Sequence, residues 1–115
     1  MRRGEIYWTD WEPAIGSEAN DVRPAVVVSN NRAAERAGTL RRGVVTVVPV
    51  TSSIRRVLPF HVLLPAHECN LPVDSKAQAE QVRALDIRRF AQRVGRVPDD
   101  VMAQIDKALR LHLSL

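Results

Sequence analysis

At 115 residues and 12.9 kDa the chain has the length of one compact domain, residues 1–115, and its 45% apolar content excludes a disordered polymer. A single cysteine, Cys69, excludes an internal disulfide and any metal site built from several cysteines. Seventeen basic side chains against thirteen acidic give a net charge of +4 and a pI near 10.2.

Fifteen of the seventeen basic residues are Arg, leaving Lys76 and Lys107. Arg grips phosphate bidentately, so nucleic acid is an open partner class; a GC-rich genome would give the same skew. No stretch approaches the roughly 18 consecutive apolar residues of a membrane span. The N-terminal Met-Arg-Arg-Gly-Glu leads into a mixed strand with no apolar core of a signal peptide, so the expected location is the cytoplasm, with no membrane partner.

In chain order, Glu5 to Trp11 is aromatic and β-branched and predicts a first strand, ending at Pro13. Residues 14–22 form a polar, Gly-containing loop. Pro24 to Ser29 (P-A-V-V-V-S) is a short continuous apolar run, which predicts a buried strand with Pro24 at its first position. Asn30 as N-cap, helix formers through residue 37 and Gly38 as C-cap predict one short helix.

Gly43 to Val50 (G-V-V-T-V-V-P-V) is the most strand-like segment, closed by Thr51-Ser52-Ser53, with Arg55 and Arg56 in the following loop. Phe60 to Leu64 predicts a strand between Pro59 and Pro65, and Pro65 to Pro72 a loop. Lys76 to Ala84 (K-A-Q-A-E-Q-V-R-A) is ambiguous. Its composition favours helix, whereas its period-2 alternation fits a strand. Pro98, Asp99 and Asp100 open a C-terminal helix that Arg110 and His112 close, with Val101, Ile105, Ala108, Leu109 and Leu113 on one face. These elements add up to a mainly β fold with helices, a small curled barrel carrying a mid-chain helix and a C-terminal helix.

Zinc would need three or four ligands, and His61, His67, His112 and Cys69 have no such spacing, so neither metal nor cofactor is expected. No G-x-S-x-G elbow and no Gly-rich phosphate loop is present. A two-histidine nuclease site would have to unite His61 and His112, which nothing in the pattern brings together. The remaining polar residues at apolar boundaries are Arg23, Thr51, Ser52, Ser17, Glu18, Glu80, Gln81 and Arg83. Gathered at one sheet end, they would supply a guanidinium, hydroxyls and carboxylates, enough to stabilise a phosphorane and move protons. Scattered, they are a strand-end arginine, a turn threonine and solvated charges. Pattern alone favours the scattered reading.

R-R-G-E-I-Y-W (2–8), P-A-I-G-S-E (13–18), R-P-A-V-V-V-S-N (23–30), V-V-P-V-T-S (47–52), P-F-H-V-L-L (59–64) and E-Q-V-R-A-L-D (80–86) follow one another along nearly the whole chain. In this order they resemble the MazF/PemK/Kid toxins. The resemblance implies a small SH3-like barrel of CcdB/PemK type, usually a homodimer, and makes Lys76–Ala84 a strand. It further implies a metal-independent endoribonuclease of a type II toxin–antitoxin system. The 2′-hydroxyl of single-stranded RNA attacks the adjacent phosphorus, leaving a 2′,3′-cyclic phosphate and a 5′-hydroxyl, and a MazE-type antitoxin blocks the groove.

Carried onto this chain, the resemblance makes Arg23 the phosphorane-stabilising arginine and Thr51 a hydroxyl on the scissile phosphate. Glu18 and Glu80 fall on carboxylate positions of the catalytic set. Ser17, Ser52, Lys76, Gln81, Arg83, Arg55 and Arg56 are the implied RNA contacts. Kid-like members carry His at the position of Ser17 and Arg at that of Gln78. Two other readings of the same barrel are an RNA-binding module without catalysis and a CcdB-like DNA gyrase poison. The His112-Leu113-Ser114-Leu115 ending lacks the Trp-Gly-Ile of the CcdB type.

Overall fold

The computed structural model describes residues 1–115. Seven strands, all paired antiparallel, form a sheet: β1 (Glu5–Asp10), β2 (Val22–Val27), β3 (Val44–Thr51), β4 (His61–Leu64), β5 (Ser75–Gln78), β6 (Arg83–Asp86) and β7 (Phe90–Arg96). The order across the sheet is β4-β5-β3-β2-β1-β7, with β6 pairing the first half of β3. Three helices accompany it: α1 (Asn31–Leu40), the single turn α2 (Ala66–Cys69) and α3 (Asp99–Leu113).

The apolar runs of β2 and β3 are continuous because both faces of these central strands are covered. On one face Ala25, Val27, Val45 and Val47 pack with Trp11, Leu85 and the small residues Ala34 and Ala37 of α1. On the other, Val26, Val48 and Val50 pack with Ile6, Val62, Leu64 and Ile105. Val62 of β4 and Val97, just beyond β7, share that second core although β4 and β7 lie at opposite ends of the strand order. The sheet is therefore curled around it, and α3 plugs the open side with Val101, Met102, Ile105 and Ala108.

Several elements differ from the sequence expectation. Asn30 does cap α1, its side chain accepting from the Ala33 N–H at 2.9 Å. The helix nevertheless runs past Gly38 and ends at Arg41, which takes the left-handed conformation. Lys76–Ala84 is neither a helix nor one strand. β5 and β6 flank a 3-10 turn at Ala79–Gln81, because β3 gives its edge to β6 at residues 44–47 and to β5 at residues 50–51. Pro24 lies third in β2 rather than first, opposite Trp8 of β1. β7 and α2 were not anticipated, and Leu113 is half exposed at the end of α3.

Cys69 is completely buried, and burial, with the Glu68 carboxylate adding to it, pushes its thiol up to about 11. Only the thiolate alkylates readily. The native protein should therefore resist iodoacetamide at pH 8 and react once unfolded. Rapid labelling of the native protein would contradict the burial.

Candidate functional site

The β2–β3 ladder runs Val27↔Val47, Val26↔Val48, Ala25↔Pro49 and then stops. Pro24 and Pro49 sit where it ends, and neither has an amide N–H to extend it. Beyond this point β3 turns to pair with β5, Thr51 lying opposite Lys76. Continued two residues further, the β2–β3 register would set Arg23 opposite Thr51. Instead the strands part, and a groove of about 310 Å3 opens between them. Arg23, Thr51 and Ser52 line it together with Trp8, and Leu71 to Val73 form the far wall.

Arg23 is held from two directions. Its Nε–H and Nη2–H donate to the main-chain oxygen and Oδ1 of Asn20, at 2.7 and 2.8 Å. Beneath it, the Trp11 indole N–H donates to the Thr9 hydroxyl (2.7 Å), which donates to the Arg23 carbonyl (2.9 Å). Arg83 lies 5.6 Å from the centre of the Trp11 ring, a cation–π contact on the other side of the same indole. No carboxylate pairs with Arg23, so its charge is available to an anion in the groove. Thr51 Oγ1 accepts a bond from the Ser53 N–H at 3.2 Å, which leaves the hydroxyl hydrogen free to donate.

The other residues singled out from the sequence lie outside this pair. Glu18 is exposed and closes its own loop, accepting from the Ile15 N–H at 2.7 Å. Gln81 clamps the same loop: its Oε1 accepts from the Ala19 N–H and its amide donates to the Ser17 carbonyl, both at 3.0 Å. Glu80 is bonded at 3.0 Å to Nε2 of the nearly buried His61, whose Nδ1 accepts from the Leu58 N–H. Lys76 is only 7% exposed, and its ammonium donates to the Arg56 carbonyl beneath the β3–β4 loop. Arg55 and Arg56 are exposed on that loop.

The structure thus brings Arg23, Thr51 and Ser52 together. It places Ser17 and Glu18 in the neighbouring β1–β2 loop, Gln81 in the 3-10 turn that clamps that loop, Arg83 against Trp11, and Glu80 toward α3. Sequence reasoning missed Asn20, the residue that orients Arg23. Its signal was an amide three residues ahead of the arginine. No group of three or more His, Cys, Asp or Glu side chains is placed to share an ion.

A guanidinium and a free hydroxyl lining one groove can together hold a phosphate group. The sequence pattern of the PemK-like, MazF-like toxins of type II toxin–antitoxin systems matches residues 2–113, and the chain belongs to this family. It is 58% identical over 115 residues to Endoribonuclease MazF9 of Mycobacterium tuberculosis, covering 100% of this chain and 98% of that protein. MazF from Deinococcus radiodurans superposes with a TM-score of 0.83 at 33% identity, over 100% of this chain and 97% of that one. A MazE–MazF complex from the same organism matches with a TM-score of 0.74 at 30% identity, over 100% and 97%. The fold is that of the MazF toxins. No helix is long and apolar enough to cross a membrane.

Proposed function

We propose that this chain is the toxin of a type II toxin–antitoxin system, an endoribonuclease that cuts single-stranded RNA in the groove between β2 and β3. The observation that carries the reading is that Arg23 and Thr51 line one groove where the β2–β3 ladder ends, in a chain 58% identical to an endoribonuclease. The RNA 2′-hydroxyl attacks the adjacent phosphorus; the P–O5′ bond breaks, giving a 2′,3′-cyclic phosphate and a 5′-hydroxyl. Arg23, fixed by Asn20, stabilises the charge that gathers on the phosphorane oxygens, and Thr51 donates its free hydroxyl to one of them.

Around that centre, Ser52 borders the phosphate, and Arg55 and Arg56 reach the flanking backbone from their loop. Lys76 holds this loop down through the Arg56 carbonyl. Ser17, Glu18 and Gln81 shape the loop on the opposite rim, and Arg83 braces Trp11. Glu80, bonded to His61, contributes from the α3 side. The chain is a single toxin domain and works as a cytoplasmic homodimer. A MazE-type antitoxin covers the groove, as MazE accompanies MazF in the related complex.

Replacing the 2′-hydroxyl at the cleaved nucleotide by hydrogen should leave the RNA bound and uncut. Cleavage of that 2′-deoxy linkage would refute attack by the 2′-hydroxyl. Thr51→Val keeps the side-chain shape and removes the donor. A hydrogen bond to a charged group is worth about 1.5–3 kcal/mol, so kcat should fall by roughly 10–100-fold with KM little changed. Unaltered turnover in this variant would remove the hydroxyl from the reaction.

A further inference from the structure

A cluster of positive charge outside the groove lies on α1 and the turn that follows it. Arg32, Arg36, Arg41 and Arg42 are all exposed, and none of them forms an ion pair. The carboxylates of this region are already engaged: Glu35 by Arg2, and Asp86, which pairs with Val44 in the ladder, by Arg88. Arg36 stands between two shallow troughs, one bordered by Arg2, Arg32 and Thr39 and the other by Arg42, Gly43 and Val44.

Three of these arginines sit where local stability disfavours them. Arg32 lies in the first turn of α1, which has no acidic residue and where the helix dipole repels a cation. Arg32 and Arg36 are like charges one helical turn apart, which weakens a helix. Arg41 occupies the C-cap at φ 54°, a conformation that favours glycine. A segment that departs from local preference at three positions, with the same charge each time, is shaped by something other than folding. The packed face of α1, by contrast, is ordinary: Ala34 and Ala37 are buried against the sheet.

We propose that this patch is a second binding site for the RNA backbone, engaging phosphates of the substrate beyond the nucleotides held in the groove. The proposal rests on the ribonuclease reading and adds to it a surface that selects long RNA over short. The patch adjoins the first residue of β3, and Thr51 is the last, so the two sites are separated by the length of that strand. At about 3.3 Å per residue this is roughly 23 Å, too far for a pentanucleotide cut at its centre to reach. Four unpaired guanidinium groups complement a chain of phosphates, and the gain in affinity should carry a salt dependence of its own.

The test compares Arg32→Gln/Arg36→Gln/Arg42→Gln with the wild type on two substrates. One is a pentanucleotide with the cut at its centre; the other is a long single-stranded RNA containing the same cut sequence once. KM for the long RNA should rise by about 10–100-fold in the variant, and the slope of log affinity against log salt should shrink by about 0.7 for each phosphate no longer neutralised. Both kcat and pentanucleotide cleavage should hold. An unchanged KM on long RNA would overturn the proposal, and so would an equal loss on both substrates, since the effect would then come from the groove or the fold. Normal handling of long RNA together with weakened antitoxin binding would assign the patch to the antitoxin and overturn it too. Failure of the wild type to cut either RNA would overturn the ribonuclease reading itself.

Discussion

Arg23→Ala should reduce RNA cleavage by about 10²–10³-fold or more while the far-UV circular dichroism spectrum stays that of the wild type. Removing one preorganised donor from a developing oxyanion costs roughly that much, and here the guanidinium is the one cation lining the groove that Thr51 shares. The fold should survive, because the Arg23 side chain bonds only to Asn20 in its own loop, and the bond from Thr9 goes to the Arg23 main chain. Arg23→Lys separates charge from geometry. It keeps the cation and loses the planar fork that Asn20 holds, so its rate should lie between the two. Full activity in Arg23→Ala would remove the residue from the mechanism.

The largest effect on stability is expected at Gly95. It lies on β7 opposite Ile6, with the end of α2 pressed against it. A Cβ added there would come 2.3 Å from the Cys69 carbonyl oxygen and 3.0 Å from Asn70 Cβ. Main chain cannot swing aside as a side-chain tip can, and this stretch is fixed: Asn70 Nδ2 donates to the Val94 carbonyl at 2.7 Å, and Cys69 is buried in the core. Overpacking costs about 1–3 kcal/mol, and a clash with backbone belongs at the upper end. Gly95→Ala should therefore lower Tm by roughly 10–20 °C. Cleavage should fall as well, since Leu71 to Val73, which follow directly, form the far wall of the groove. A variant that melts with the wild type would show that α2 yields freely.

The framework of the fold was legible because its signals are local. The valine runs of β2 and β3, the Asn30 cap of α1 and the acidic start of α3 each imply their element without help from distant residues. β7 carries no such signal. Gln92, Arg93 and Arg96 are exposed and Gly95 is buried, so the strand is defined by its pairing with β1 and not by apolar alternation. Residues 76–84 mislead in another way. They are helix formers by composition, yet β3 divides its edge between the two halves of the segment and forces a 3-10 turn between them.

The site was legible only in part, for the same physical reason. Arg23 and Thr51 stand out as polar residues at the ends of apolar strands, but that they share one groove follows from the β2–β3 register and from where its ladder stops. Lys76, Gln81 and Glu80 look in sequence like side chains reaching for a ligand. In the fold each is bonded within the protein, to Arg56, to the Ser17–Ala19 loop and to His61. A polar residue has the same appearance in a sequence whether it serves a loop or a substrate.

The most direct measurement is to incubate the purified protein with mixed-sequence RNA in excess EDTA and to map the chemistry of the product ends. The account predicts cuts at discrete sites, each leaving a 2′,3′-cyclic phosphate and a 5′-hydroxyl, and no cuts by the Arg23→Ala protein. Intact RNA from folded protein free of antitoxin, or products ending in a 5′-phosphate, would contradict it.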